Sequence, residues 1–387
     1  MESVRRMLAF LLVVFGIYLI ENAFVYIRLL QFLSLSGTAL RLVKIGLWLT
    51  ILAYPVARVL ERLGLRLWAH HFTWFGSFWL GALVYLFFGF LIFDAIRYAA
   101  ALVPGGRFFS LLNNSHIPRL FTLCLLAGTA LLLVVGYAKA RNPRVSYVSL
   151  SLQKLSGKKN PLRLVHLSDI HLGTIIGLKR LVKLVEQVNA LQPDLILITG
   201  DLVDENVAAL ESMIAPISQF RAERGVYAVT GNHEYYAGVT GAVSAMEQAG
   251  IRVLRNETVR IDGLLTITGV DDLESERFEA KPFPEFQALA ADRDPRLPSI
   301  LLCHRPIHLE KAAAAGFDLQ LSGHTHHGQL VPFNWVTDIL YEISSGFGRI
   351  GKMAVYVSNG VGTWGPPVRI GAPPEIVEIV LTRAETQ

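Results

Sequence analysis

Gly323-His324-Thr325-His326 is the stretch on which the reading of this chain turns. It is taken together with Asp169-Ile170-His171, Gly200-Asp201-Leu202-Val203-Asp204, Gly231-Asn232-His233-Glu234 and the lone His304. Each block follows a short apolar run: Leu162 to Leu167, Leu195 to Ile198, Val226 to Val229, Ile300 to Cys303, and Leu319 to Leu321. Runs this short, rich in Leu, Ile and Val, predict strands buried on both faces. Ligands of such sheets gather just past the strand ends. Five strand ends would therefore deliver carboxylate, imidazole and amide groups to one place.

The ligand types decide the chemistry of that place. Asp, His and Asn without Cys form a hard-to-borderline set that suits Zn, Mn or Fe. Seven or more candidate groups are too many for one four- to six-coordinate ion and enough for two. Two divalent ions about 3.5–4 Å apart are the usual machinery for displacement at phosphorus, because they clamp both the attacking and the leaving oxygen.

The five blocks resemble the calcineurin-like metallophosphoesterase family, whose pattern is Asp-x-His, Gly-Asp-x-x-Asp, Gly-Asn-His-Glu, a lone His and Gly-His-x-His, in that order. The resemblance covers residues 163 to 382. The wider text, including Ser168 to Gly173, Gly231 to Tyr236 and Ser322 to His326, is most similar to the membrane-associated bacterial subgroup. His327 departs from that subgroup, which usually has Gly there, and adds an imidazole beside the site. The resemblance implies an α/β fold, a two-sheet αββα sandwich. It implies that Asp169, His171 and His326 hold one metal, that Asn232, His304 and His324 hold the other, and that Asp201 bridges them and takes part in catalysis. His233 would protonate the leaving group or stabilise the phosphoryl oxygens. Asp204 and Glu234 would orient the ligands from behind. Arg305 joins that supporting ring, and either binds a phosphate oxygen or covers the sheet edge.

Composition divides the 387 residues in two. The whole is 52% hydrophobic and only 17% charged, against about 45–50% and about 25% in ordinary globular domains. Residues 1–160 hold 17 Lys and Arg against 4 Asp and Glu, a net +13; the remainder holds 19 against 27, a net −8. A basic, apolar front and a mildly acidic back predict a membrane part and a water-soluble part; with the resemblance, these are expected to be an all-α transmembrane region over 1–144 and a calcineurin-like metallophosphoesterase domain over 145–387. Nucleic acid is not an expected partner, because the positive charge flanks apolar stretches and forms no soluble basic face. Four spans of roughly the ~20 residues a bilayer needs are expected at 7–27, 40–60, 72–93 and 120–138. Three later apolar stretches weigh against a cleaved leader at the start.

Glu21 and Asn22 interrupt the first span and read as partners for another helix or as interface residues. Trp68, His70, His71, Trp74 and Trp79 read as an interfacial belt. Adjacent His70 and His71 point about 100° apart on a helix and cannot easily share an ion. Lys and Arg in the loops favour an inner-membrane protein with a cytoplasmic catalytic part. Cys124 and Cys303 look unpaired. Between the halves, Arg141 to Arg144 breaks the helix, Val145 to Leu152 alternates like an edge strand and Ser156 to Asn160 reads as a turn. The basic residues of this joint would hold the domain against anionic lipid.

Downstream, helices are expected over 177–191, 207–220, 240–249 and 306–315, and a hairpin turns at Asp262-Gly263. Closing strands are expected at Ala354 to Val357 and Ile376 to Leu381. Asp271 and Asp272 read as a surface turn. His166, His308 and His327 receive structural or rim roles. Residues 328–350 are unusually apolar for a loop beside a polar site, with Leu330, Phe333, Trp335, Ile339 and Leu340. They form either a greasy entrance for a lipid-linked phosphate or core beneath the closing strands. The resemblance supports the entrance, since some relatives cleave the pyrophosphate of a UDP-linked diacylated glucosamine. Other relatives act broadly on soluble phosphodiesters or monoesters. A metal-dependent sensing module and a transporter with an attached phosphatase complete the readings. Oligomeric state is left open.

Overall fold

The apolar runs are strands, and they fall into two sheets. The computed structural model describes residues 2–104, 106–114, 116–155, 161–204 and 207–384; the expected turn at 156–160 lies outside them. The chain divides into two units, residues 1–138 with 365–368, and residues 139–364 with 369–387.

The first unit is built from helices α1 (Glu2–Leu33), α2 (Gly37–Arg62), α3 (Arg66–Ala101), α4 (Arg107–Asn113) and α5 (His116–Ala140). Four of these are long and apolar enough to cross a membrane, over 12–33, 37–61, 66–101 and 116–140. Each expected span lies inside one of the helices. Val25, Leu29 and Phe32 of α1 pack with Leu47 of α2 and with Leu83, Leu86, Phe90 and Phe93 of α3. Outward positions such as Leu12, Ile20, Trp48 and Val134 are exposed and apolar, as a lipid-facing surface requires. Gly76 lets α2 and α3 approach, since a Cβ there would stand 2.8 Å from the Tyr54 nitrogen.

Two buried polar residues of this unit, Asn22 and Asp94, are paired inside the bundle. Asn22 is buried; its Nδ2 donates to the Tyr18 carbonyl at 2.7 Å and its Oδ1 accepts from Trp79 Nε1 at 2.9 Å. Trp79 thus joins α3 to α1. Arg28 and Arg97 flank buried Asp94 at 2.5 and 3.1 Å, which compensates its charge.

The second unit is the two-sheet αββα sandwich. One sheet runs β1 (Arg144–Leu152), β12 (Glu375–Arg383), β2 (Leu162–Leu167), β3 (Leu195–Thr199), β4 (Val226–Val229), β5 (Ile251–Val253). The other runs β10 (Gly346–Ile350), β11 (Met353–Val357), β9 (Leu319–Ser322), β8 (Ser299–Leu302), β7 (Leu265–Gly269), β6 (Glu257–Ile261). Leu164, Leu197 and Val229 meet Ile267, Ile300, Leu302 and Leu321 between the sheets. Leu301 points the other way, into a layer with Leu309, Ala312 and Phe317. Alternate residues of one strand therefore enter different cores, and that is why the runs are apolar without a break.

Helix α6 (Leu178–Ala190) buries Leu181, Leu184, Val185 and Val188. The expected helix over 207–220 is instead two short ones, α7 (Val207–Glu211) and α8 (Ile214–Ile217). Pro216 fits neither the interior of a long helix nor a donor position in it. Then come α9 (Asn232–Ala237), α10 (Val239–Gln248), α11 (Glu274–Phe278), α12 (Phe286–Ala291), α13 (Leu309–Ala314) and α14 (Phe333–Leu340). Helix α13 starts later than expected, after Pro306 and a left-handed His308. The hairpin turns where expected, with Asp262 and Gly263 both at positive φ, as a type I′ turn demands.

Strands β2, β3 and β4 are parallel to one another, as are β7, β8, β9 and β11. Their shared direction brings the ends of β2, β3, β4, β8 and β9 to the loops that carry the five blocks.

His166, in β2, takes the structural role expected of it. It is fully buried, its Nε2 lies 2.8 Å from Thr199 Oγ1, and burial pushes its pKa down to about 3. The unfolded chain takes a proton below about pH 6.5 and the folded one does not. Stability from this group is therefore full above that pH and declines below it, by about 1.4 kcal/mol per pH unit until pH approaches the folded value. Denaturant titrations of wild type and His166→Gln from pH 7 to 5 will show that excess slope in the wild type alone.

Candidate metal centre

The turns after β2, β3 and β9 are held in strained backbone. Asp169, His171, Asp201, His324 and His326 all have φ between 48° and 71°. That left-handed region costs a non-glycine residue roughly 1 kcal/mol or more, and it is kept only where surroundings enforce it. Here they do. Asp169 N donates to the Gly200 carbonyl and His171 N to the Asp201 carbonyl, at 3.1 and 3.0 Å. The His324 amide donates to both Asp169 carboxylate oxygens, at 3.1 and 3.0 Å.

The result is a cluster of buried donors. Asp169, His171 and His326 each turn one ligand atom to within 4.8 Å of the others, and so do Asp201, His304 and His324. Asp201 also groups with His171 and His233, so one carboxylate serves both halves. Nε2 of His171 and Nε2 of His326 are 3.1 Å apart. His326 Nε2 lies 3.4 Å from Asp169 Oδ1, and His304 Nε2 lies 3.3 Å from Asp201 Oδ2. His304 Nε2 is also 3.1 Å from Asn232 Oδ1 and from His324 Nδ1. All seven residues read as ligands in the sequence are thus brought together.

These separations fit a metal site. With metal–ligand bonds of about 2.0–2.2 Å, donors on one ion lie about 3–3.6 Å apart. His304 Nδ1 faces the Thr199 carbonyl at 2.7 Å, which fixes the tautomer and leaves the Nε2 lone pair turned inward. Burial opposes charge on His304, yet Asp201 pulls its pKa up to about 10. Burial and nearby positive charge instead push His324 and His326 well down.

Glu234 is the supporting group the sequence indicated. Its fully buried carboxylate accepts from the amides of Gly231, Asp201, Leu202 and Val203, at 2.7, 2.9, 2.8 and 3.1 Å. It is the third residue of α9 and reaches back to the residue before the helix, as a capping glutamate does. Asp204 lies behind two imidazoles, its Oδ1 3.6 Å from His171 Nδ1 and 3.4 Å from His233 Nδ1. Burial works against its charge, but those imidazoles hold the carboxyl well below the usual range. His233 Nδ1 lies 2.6 Å from the Asp204 carbonyl, and the His233 amide donates to Asp201 Oδ1 at 2.9 Å. Burial lowers the His233 pKa, the Asp204 and Asp201 carboxylates more than reverse this, and it is raised to about 9.

One expectation at the margin needs correction. Asp271 and Asp272 are buried, not a surface turn. Asp271 accepts from Thr230 and Arg255 at 2.9 and 2.8 Å. Asp272 takes Arg305 Nε and Nη2, both at 2.8 Å. Arg305 is thereby engaged in a two-pronged ion pair at the end of β8. His327, half-buried, lies at the rim, with Nε2 3.3 Å from Asp338 Oδ1 of α14.

The sequence reading missed Arg369. It is completely buried and its guanidinium faces only neutral groups at hydrogen-bond range among the described residues. Nε and Nη2 donate to the Gly362 carbonyl at 3.0 and 2.6 Å, Nη1 donates to the His326 carbonyl at 3.1 Å, and Nη2 lies 2.8 Å from His326 Nδ1. Burial lowers its pKa to about 9. Its one signal in the sequence is that it is the only charged residue between Lys352 and Glu375. Trp364 was missed too. Gln329 pins its backbone with bonds of 2.9 and 3.0 Å, and its exposed ring lies 6.1 Å from that of His233.

Comparison with known proteins agrees with this geometry. A family model described as calcineurin-like phosphoesterase matches residues 162–328. "Transmembrane protein with metallophosphoesterase domain" from Danio rerio is 35% identical over 319 residues, covering 79% of this chain and 72% of that protein. The chain belongs to the calcineurin-like phosphoesterase family. The Bos taurus protein of the same name is 35% identical over 271 residues, covering 66% of this chain; the chain spans only 61% of the bovine protein's length. An "Uncharacterized metallophosphoesterase" of Aquifex aeolicus is 35% identical over 242 residues, covering 62% of this chain and 91% of that one. Animal and bacterial members of the family are therefore both similar to this chain.

Within the family motif Gly-His-x-His the glycine has a steric cause. A Cβ on Gly323 would overlap the Ser168 hydroxyl and the Asp169 carboxylate. Gly323→Ala is expected to cost about 1–3 kcal/mol, the usual range for overpacking. Thermal denaturation of the variant beside wild type measures it, and an unchanged midpoint would contradict the close approach.

Proposed function

We propose that this chain is a membrane-anchored phosphoesterase that uses two divalent metal ions to hydrolyse a phosphoester or pyrophosphate bond. The observation that carries the reading is the convergence of seven donors from five strand ends, six of them buried and His324 half-buried, with Asp201 common to both groups. In this reading Asp169, His171 and His326 hold one ion, Asn232, His304 and His324 hold the other, and Asp201 bridges. Mn, Zn and Fe all suit the donor set. Such ions, when bound, supply Lewis-acid charge and an acidified water.

The protein's own groups do the rest. His233 spends Nδ1 on the Asp204 carbonyl, so its other ring nitrogen is the one that carries a transferable proton to the leaving oxygen. Asp204 and Asp201 favour its protonated state. Glu234 fixes the two turns that present Asp201 and Asn232. Arg369 holds the His326 ring from behind, and such supporting bonds typically tighten metal affinity about 10–100-fold.

For the substrate we favour a lipid-linked phosphate or pyrophosphate. No residue of α14 is buried, and Trp335, Ile339 and Leu340 are 65%, 83% and 70% exposed. This supports the entrance reading over a core role for that helix. The helix belongs to the loop that follows His326. Two contacts tie that loop to the site: His327 with Asp338, and the Thr325 hydroxyl donating to the Ser344 carbonyl at 2.6 Å. The distribution of Lys and Arg around the four spans favours a cytoplasmic catalytic part.

The test is hydrolysis by the full chain in detergent with Mn, on a lipid-linked pyrophosphate and on bis-p-nitrophenyl phosphate. Asp201→Asn should abolish both activities. His233→Ala should lose about 10²–10⁴-fold on the lipid-linked substrate and less on nitrophenyl esters, whose leaving group needs no proton. Trp335→Ser with Ile339→Ser should lose only the lipid-linked activity. Retained turnover in Asp201→Asn would contradict the enzyme reading. A preference of the wild type for soluble nucleotides would contradict the lipid-linked one, and metal binding without turnover would favour a sensing module.

A further inference from the structure

We infer that Trp364 and Tyr236 form a wall that seats a flat, hydrogen-bonding ring, a nucleobase, on the leaving group of the substrate. The inference rests on the proposed function, in which His233 faces the leaving oxygen, and it names what lies beyond that oxygen. Tyr236 follows His233 by three positions on α9, so the two side chains share a face of the helix. Their ring centroids are 5.4 Å apart. The Trp364 ring reaches His233 from another part of the chain, with centroids 6.1 Å apart. The interplanar angles are 63° and 78°, so neither ring covers the imidazole face to face. Phe278 of α11 continues the row, its centroid 6.1 Å from that of Tyr236. All three rings are about half exposed.

Trp364 is held there by the metal-centre loop itself. Its carbonyl accepts from Gln329 Nε2 and its amide donates to Gln329 Oε1, at 2.9 and 3.0 Å. Gln329 lies three residues after His326, is buried, and has a left-handed φ of 58°. That conformation costs a non-glycine residue roughly 1 kcal/mol or more. The fold thus fixes the backbone of Trp364 firmly and still leaves its ring open to water, although covering so large an apolar ring would be favourable.

The polar edge of the wall selects the occupant. The Tyr236 hydroxyl donates to Glu274 Oε1 at 3.3 Å. Arg277 and Arg305 each lie 3.5 Å from the Glu274 carboxylate. An acyl chain laid along this row would desolvate those charges and pair with none of them, which is costly. A nucleobase offers its π-face to the indole and phenol rings and its edge donors and acceptors to the carboxylate and guanidinium groups. On cleavage the water oxygen becomes bonded to phosphorus and the bond from phosphorus to the leaving oxygen breaks. The His233 proton passes to that oxygen, and the nucleoside-bearing fragment departs along the wall.

The test is equilibrium binding by calorimetry to the full, manganese-loaded chain in detergent. The probes are uridine 5′-methylenephosphonate, the matching ribose methylenephosphonate and octylphosphonate, none of which can be hydrolysed. The wild type should hold the nucleoside probe about tenfold tighter than the ribose probe, within the range one stacked base contributes. Trp364→Leu should reduce that advantage to about twofold, and Tyr236→Leu should reduce it by about threefold. Phe347→Leu, which alters an exposed ring on β10, should behave as wild type. Equal binding of the two ring probes by the wild type would overturn the proposal, and so would an unaltered advantage in Tyr236→Leu, which decides the matter should Trp364→Leu fail to fold. Octylphosphonate held as tightly as the nucleoside probe would overturn it in favour of an acyl chain. Nucleoside preference in a chain that hydrolyses nothing would sink the enzyme reading alone; hydrolysis without that preference would sink this inference alone.

Discussion

One buried carboxylate holds the centre of this molecule together. Glu234 has four backbone amides around it, one from the turn after β4 and three from the turn after β3. A buried amide left unpaired at a strand end costs about 1–3 kcal/mol. The charge of Glu234 in turn needs all four, since an isolated carboxylate is very costly to bury. Each side of the arrangement is thus the condition for the other. It fixes Asp201 and Asn232 in one frame, and the rest of the site is built out from that frame by the left-handed turns at Asp169, His171, His324 and His326.

How the sequence announced this is a matter of covalent proximity. A strand and the turn that follows it are contiguous, so the five blocks and their apolar runs could be read together. The strand ends agree with the reading to within a residue or so, and the four long helices were legible from length and composition. Arg369 was not, because it acts through the fold: 43 positions separate it from His326, and only the closing of the 360–369 loop over Asp169 brings them together. Asp271 and Asp272 were misread for a similar reason. Two adjacent aspartates after a strand usually mark a turn in water, but Arg255 and Arg305 arrive from other elements to neutralise them. The helix expected at 207–220 fails on a local cause, Pro216, whose ring and missing amide outweighed the apolar pattern.

One feature of the catalytic unit faces away from the logic of a soluble hydrolase. Helix α14 leaves a wide apolar face uncovered, where a soluble domain would present charge. Such a face suits acyl chains, which would be met at a bilayer. A chain with four helices long enough to span has that environment built in, so the membrane region and the phosphoesterase fold read as parts of one device.

The proposed pair of ions sharing the Asp201 carboxylate is most directly measured on the full chain purified and loaded with manganese. The expected result is two ions per chain by elemental analysis and an exchange-coupled pair by electron paramagnetic resonance, at the separation of about 3.5–4 Å that a shared carboxylate allows. One isolated ion per chain, or none, would contradict it.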